Sequence, residues 1–259
     1  MQQDVNRIDP TLLNKVKKSN QQFYDIISDS YETVDGKRDK TTIRWITKKL
    51  RTIQRATKGE TLLDIGCGSG FILRYSLPYF KTIVGIYISF AILKGLRKQG
   101  YLVVCADIDH LPFKNDVFSV VSCFAVLHHL YIYTSLTEES YRILKTRGIF
   151  YSDHDLDSTF EKRFRFFMQL YRTCFNEKKK YLRANSNITS ELYHFTEIHH
   201  KGIKTDEIAQ LFKKQKFSEV RLFYHWLGLF PLLTRFCLFF NIRSFRKGNA
   251  PLVSIIAKK

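Results

Sequence analysis

Leu62-Leu63-Asp64-Ile65-Gly66-Cys67-Gly68-Ser69-Gly70 runs an apolar segment into three glycines set two apart. The apolar residues read as a buried strand, Thr61–Ile65, and the pattern from 69 to 77 reads as a helix stopped by Pro78. A strand, a glycine turn and a helix in that order let the backbone bend sharply and let a ligand approach the main chain. The spacing G-x-G-x-G differs from the dinucleotide fingerprint G-x-G-x-x-G. Ligands of open α/β sheets sit outside the carboxyl ends of strands, so this turn is a candidate binding loop.

Outward from the turn the alternation continues. Thr82–Tyr87 reads as a strand, and Ser89 caps a helix that Gly100 ends. Residues 101–106 and Phe118–Phe124 read as strands, 137–145 as a helix and 149–153 as a strand. Such alternation means βαβ units and a parallel sheet. Upstream, Phe23, Ile26, Ile27 and Tyr31 fall at helical spacing, as do Ile43, Ile46, Leu50 and Ile53, with a loop at 34–38 between them. Downstream, 158–203 holds no clear strand; Ser158 is positioned to cap a helix carrying Phe160, Phe164, Phe167 and Tyr171. Order resumes with a helix at Thr205–Lys214, a strand at Glu219–His225 and a last strand at 251–257. The expected organisation is one domain, 1–259. It divides into N-terminal helices (1–58), a core (59–157), a cap insertion (158–203) and a C-terminal part of the sheet (204–259) with an apolar insertion at 226–241.

Composition narrows the classes. A hydrophobic content of 44% supports a sizeable core and argues against wholesale disorder. The five cysteines form no C-x-x-C pair, which argues against a disulfide framework or a zinc site and fits a reducing cytoplasm. The first twenty residues are polar and charged, unlike a secretory signal. Lys plus Arg is 42 against 24 for Asp plus Glu, a net charge of +18. A surface so basic attracts RNA, anionic lipid or acidic small molecules, and it also serves solubility.

Further segments stand in a recognisable order after the glycine turn. They are Cys105-Ala106-Asp107-Ile108, Leu111-Pro112-Phe113, Phe118–Phe124, Ala125-Val126-Leu127-His128-His129-Leu130, and Tyr141-Arg142-Ile143-Leu144-Lys145 before Gly148. Together they make the chain resemble the class I methyltransferases that use S-adenosylmethionine, in the broad group that includes quinone-modifying enzymes. The resemblance spans roughly 23–257 and is best from 62 to 150. It implies a Rossmann-like doubly wound α/β sheet, mostly parallel with the last strand antiparallel, with N-terminal helices and a helical cap.

By that resemblance Asp64 closes the first strand, orders the loop and reaches the cofactor's amino group. Gly66, Cys67, Gly68 and Gly70 meet its methionine and ribose portion, with Phe124 at the end of the fourth strand. Asp107 accepts from the adenine amino group, and the Ile108 backbone serves the ring edge. Tyr31 lies near the methionine end, while Tyr24 reads as core. The family's acidic residue for the ribose hydroxyls is replaced by Tyr87, followed by Ile88. A carboxylate accepts from both hydroxyls and a phenol offers one good contact.

Methyl transfer from a sulfonium needs position and a dry site, and a base only where the acceptor must lose a proton. His128 and His129 are the nearest candidates, and His154, between Asp153 and Asp155 at a strand end, is another. Glu197-Ile198-His199-His200 reads as a polar lid edge, and no metal is expected. The apolar stretch 226–240 is interrupted by Pro231 and Arg235 and followed by Arg243, Arg246 and Lys247. It reads equally as a buried insertion or as peripheral membrane contact through 226–247. The leading function is methylation of a small-molecule or lipid-like acceptor. The alternatives are RNA (tRNA) methylation and a methyltransferase-fold partner protein without activity.

Overall fold

A computed structural model of the chain describes residues 9–34, 38–227, 236, 239–240 and 244–259. Helix α1 (Pro10–Ile27) starts where Asp9 accepts from the amides of Thr11 and Leu12, and it buries Val16, Phe23, Tyr24 and Ile27 on one face. A short α2 (Tyr31–Val34) leads towards α3 (Lys40–Thr57), capped by Asp39 and ended by Lys58 in the left-handed region at φ 51°. Most of the loop expected at 34–38 lies outside the described residues.

The alternating core follows as β1 (Thr61–Ile65), α4 (Phe71–Ser76), β2 (Thr82–Tyr87), α5 (Phe90–Lys98), β3 (Leu102–Cys105) and β4 (Phe118–Phe124). A 3-10 turn at Leu127–His129 precedes α6 (Thr134–Ile143) and β5 (Leu144–Leu156). Four helices form the cap: α7 (Ser158–Arg163), α8 (Arg165–Cys174), α9 (Glu177–Ala184) and α10 (Ser190–Thr196). Then come α11 (Thr205–Lys214), β6 (Glu219–His225) and β7 (Leu252–Lys258).

The strands make one sheet in the order β3-β2-β1-β4-β5-β7-β6. The pairs from β3 to β5 are parallel, and β7 runs antiparallel to both β5 and β6. Successive residues of the central strands feed opposite layers. Leu62, Val120 and Ile149 stand in register and face the core under α3, α4 and α5. Leu63, Val121 and Phe150 face the core with Ile143 of α6 and Phe212 of α11. Chain order reverses on the two sides of β1, which opens a crevice at the carboxyl ends of β1 and β4.

Five expected elements fall at their expected bounds: β1, β2, β4, α11 and β6. Others differ, and three of them for visible reasons. Helix α4 begins after Gly70, which takes φ 80° at its N-cap, and not at Ser69. Strand β5 extends back to Leu144, through the segment expected as the end of a helix and its turn. At the cap, Asp157 and not Ser158 accepts the Phe160 amide, and the expected helix divides at Phe164 into α7 and α8. Phe160 is buried, while Phe164 and Phe167 are exposed. Most of the insertion at 226–241 lies outside the described residues; Phe236, Phe239 and Phe240 within it are exposed. No helix among the described residues is long and apolar enough to cross a membrane.

Candidate active site

A cavity of about 550 Å³ occupies the crevice, within the size range of small-molecule sites. Its lining contains Tyr31, Gly66, Tyr87, Ile88, Asp107, Ile108, Phe124, His128 and His129 of the residues singled out from sequence. Asp64, Cys67, Gly68 and Gly70 are not among the lining residues. Asp64 is buried and its Oδ1 accepts from the Ser122 hydroxyl at 2.7 Å, so it faces the neighbouring strand. Burial raises its carboxyl to about 7, against the lowering effect of that bond. The glycine loop is tied to β2 instead, through the amides of Gly66 and Cys67 on the Ile86 carbonyl. Cys67 is buried, its sulfur filling the space where a Gly85 side chain would start, and a Gly70 side chain would meet Leu96.

The loop nevertheless shapes the cavity through two close approaches. A Cβ on Gly66, at φ 72°, would lie 2.4 Å from Val126 Cγ2; one on Gly68, at φ 48°, would lie 2.6 Å from the Tyr31 hydroxyl. Tyr31 and Val126 both line the cavity. Only glycine permits that proximity with those dihedrals.

At the far end Asp107 is an ion-pair partner. Lys17 of α1 lies 2.8 Å from its Oδ2 and also pairs with Asp109. The Asp109 amide donates to the other Asp107 oxygen. Each carboxylate oxygen retains acceptor capacity, so the residue suits an amino group but shares it with a lysine. Tyr87 is buried with its ring against Tyr24, centroids 5.3 Å apart. Tyr24, which reads as core from sequence, is both core and wall: its hydroxyl lies 2.9 Å from His129 Nε2.

The ends of β4 and β5 carry the titratable groups. His128 Nδ1 lies 2.7 Å from Asp155 Oδ1, and its Nε2 lies 3.7 Å from Glu197. His129 Nδ1 lies 2.8 Å from the Thr196 carbonyl, which can only accept, so Nδ1 carries hydrogen and Nε2 receives the Tyr24 hydroxyl. Burial holds His129 well below the ordinary imidazole range. His128, His129 and Glu197 cluster closely enough to hold a metal ion. The commitment of His129 Nδ1–H leaves two ligand atoms there, fewer than the three protein ligands of a typical catalytic zinc site. Sequence reasoning placed Glu197 on a lid edge; a separation of 68 positions hid its meeting with His129.

Asp153 anchors a second group. It is fully buried and receives six donors. Oδ1 accepts from the His154 amide, His154 Nδ1 and His225 Nε2, at 2.8, 2.9 and 2.8 Å. Oδ2 accepts from Trp45 Nε1, the Tyr151 hydroxyl and the Ser254 hydroxyl, at 3.0, 2.5 and 2.7 Å. Burial alone would raise this carboxyl; the two imidazoles outweigh it and hold it well below the usual range.

Residues 63–152 match the family model of the methyltransferase domain. An uncharacterized protein of Methanocaldococcus jannaschii is 32% identical over 140 residues, covering 53% of this chain and 52% of that protein. A malonyl-[acyl-carrier protein] O-methyltransferase of Legionella pneumophila is 35% identical over 94 residues, 34% of this chain and 33% of that protein. The chain thus spans about half the length, or less, of these curated relatives. Among solved structures, the plantazolicin methyltransferase BamL, in complex with a triazolic desmethylPZN analog and SAH, has the same fold. Its TM-score is 0.58 at 14% identity, with 96% of this chain and 98% of that one covered. Residues 63–152 are thus similar to the methyltransferase domain, and the strand order is that of the fold shared with the solved methyltransferases.

Proposed function

We propose that the chain is an S-adenosylmethionine-dependent methyltransferase acting on a small-molecule or lipid-like acceptor. The observation that carries this reading is a single cavity with two unlike halves. Gly66, Tyr87, Ile88, Asp107 and Ile108 line one half, and Phe124, His128, His154 and Glu197 the other. The first half fits the cofactor. Its glycine loop approaches Tyr31 and Val126 closely, apolar Ile88 and Ile108 offer surface to a flat ring, and the Asp107 carboxylate accepts from an amino group. The cofactor supplies an electrophilic methyl group. The protein's own task is to bind, orient and keep water away.

The acceptor assignment rests on enclosure and on the surface beyond it. Tyr24 and Lys17 of α1 and Glu197 beside α10 wall the cavity, which favours a small molecule over a polymer. Phe166, Leu170, Phe175, Phe236, Phe239 and Phe240 are exposed, and in sequence Arg163, Arg165, Lys178 and Lys179 flank the first three while Arg235 and Arg243 flank the last three. Exposed aromatics beside cations suit an anionic membrane surface that delivers a lipid-like acceptor.

Calorimetric titration with S-adenosylhomocysteine tests the cofactor, with saturable binding expected. Incubating cell extracts with methyl-labelled cofactor identifies the molecule that gains the label. A folded protein that binds no S-adenosylhomocysteine refutes the reading. Sedimentation with anionic vesicles tests the surface: Phe166→Ser with Phe239→Ser should lower recovery several-fold while the melting curve holds. Equal recovery removes the membrane contact.

A further inference from the structure

We propose that His154 takes the proton lost by the methyl acceptor, and that the acceptor presents a hydroxyl or an amine rather than a carboxylate. The proposal rests on the methyltransferase reading above and adds the acceptor chemistry to it.

Three histidines line the cavity, and their nitrogens differ. Both nitrogens of His129 are hydrogen-bonded, to Thr196 and Tyr24. His128 Nδ1 lies 2.7 Å from Asp155, and its Nε2 lies 3.7 Å from the Glu197 carboxylate. His154 differs from both. Its Nδ1 faces the ionised Asp153 at 2.9 Å and therefore carries the hydrogen, which leaves Nε2 with a lone pair. That Nε2 is shut off from water and has no hydrogen-bond partner among the described residues, although 11% of the side chain remains exposed. An unsatisfied buried acceptor is destabilising, and such a group calls for a functional reason.

The backbone tells the same story. His154 has φ 70°, a region a non-glycine residue rarely adopts. It sits where the register of β5 against β7 shifts between Ser152 and Asp155. Bulges re-aim side chains beside active sites, and strain of this kind persists only where the surroundings enforce it. Here the enforcing group is Asp153, which receives both the amide and the ring of His154. The Phe124 ring packs against the imidazole with centroids 4.5 Å apart, at the end of β4.

The groups facing His154 are Asp153 on its own strand, His225 on β6 and Arg38 ahead of α3. Burial, opposed by Asp153, holds the imidazole below its ordinary range and hence neutral at pH 7. In the reaction the acceptor oxygen or nitrogen bonds to the methyl carbon, the carbon–sulfur pair stays on sulfur, and the acceptor's proton passes to Nε2. The imidazolium then gives that proton to water admitted to the cavity as the products leave. A carboxylate acceptor has no proton to give and would set its lone pairs against that of Nε2.

The test begins on the wild-type chain with nitrogen-labelled histidine. Nuclear magnetic resonance should show His154 as the Nδ1–H tautomer, neutral at pH 7; an Nε2–H tautomer or an imidazolium at that pH overturns the proposal. The variant His154→Asn assigns the signal, tolerates the left-handed backbone and keeps an amide donor for Asp153. With labelled cofactor and extract, His154→Asn should transfer methyl roughly 100-fold more slowly at pH 7 or below. The deficit should narrow at alkaline pH, where the acceptor ionises unaided. Binding of S-adenosylhomocysteine should change less than threefold. An unchanged rate and pH profile in His154→Asn sinks the assignment of His154 alone, whereas a wild type that binds no S-adenosylhomocysteine sinks the cofactor reading beneath it.

Discussion

At the ends of β1, β2 and β3 the cavity is walled by strand termini and the turns that directly follow them: Gly66, Tyr87, Ile88, Asp107 and Ile108. At the ends of β4 and β5 it is walled by side chains from five distant places, Tyr24, Arg38, His128, His154 and Glu197. The first half uses mainly backbone shape and the carboxylates of Asp107 and Asp109. The second invests in buried charge, with Asp153 and Asp155 both fully enclosed. Buried carboxylates are costly unless paired, so their concentration on one strand marks where the chain commits stability to holding side chains in position.

The largest expected effect breaks the second half. Asp153→Ala strips six donors of their common acceptor, and loss of one member of a buried ionic network costs about 3–5 kcal/mol. Denaturant unfolding should show a loss of that order, and a loss below about 1 kcal/mol would mean that the network does not hold β5 to α3 and β7. Acid should act in the same direction. The depressed Asp153 contributes stability that is present above the unfolded carboxylate value and is lost as pH falls through its folded value. His129, His154 and His199 are also depressed, chiefly by burial, so their contribution falls as pH drops below the unfolded imidazole range. The three histidines should therefore lower the melting temperature from neutral pH towards pH 5, a fall that Asp64 opposes in the same window and that should be steeper in Asp64→Asn.

The first half holds one buried carboxylate of opposite sign. Asp64 is raised from 3.8 to about 7, so the folded state binds the extra proton between those values and loses stability as pH rises through that window. Asp64→Asn keeps an acceptor for Ser122 and removes the charge. The variant should be stabilised relative to wild type, by more at pH 8 than at pH 5, on the order of 1–3 kcal/mol at the higher pH. Equal midpoints at both pH values would mean that water or a cation reaches Asp64.

The difference between the halves also explains what was legible beforehand. The glycine turn, the strand before it and Asp107 are local patterns, readable because φ > 0 and apolar periodicity leave marks within nine or ten residues. The resemblance to the family motif puts Asp64 and Cys67 at the ligand, whereas in the structure the Asp64 carboxylate accepts from Ser122 on the neighbouring strand and Cys67 is buried. The Asp153 network was illegible: Trp45, His225 and Ser254 reach it from elements 108, 72 and 101 residues away. The bulge that turns His154 has no signature in a run of Asp-His-Asp, and nothing local sets His154 apart from His128.

Within the cofactor half, Asp107→Ala should weaken S-adenosylhomocysteine by about 2 kcal/mol, the range for a hydrogen bond to a charged group. Lys17 keeps its pair with Asp109, and the partly exposed pair that is lost contributes little to stability, so the melting curve should scarcely move. Unchanged affinity with an unchanged melt would show that Lys17 keeps Asp107 from the ligand.

The smallest effect, at Tyr87, is also the most diagnostic, because two substitutions pull binding in opposite directions. Tyr87 ends β2, lines the cavity and packs edge-on against Tyr24. If its hydroxyl stands in for the carboxylate that holds the ribose in related enzymes, Tyr87→Phe removes one neutral hydrogen bond, worth about 1 kcal/mol or roughly fivefold in affinity. Tyr87→Asp exchanges one contact for an acceptor of two hydroxyls and should tighten binding. The same substitution puts a charge at a buried site and deletes the ring against Tyr24, so it should lower the melting temperature. Tighter binding in a less stable protein is a combination that general damage does not produce. Calorimetry and melting curves on the two variants separate the cases: if affinity merely follows stability in both, the ribose is held elsewhere and Tyr87 is wall packing.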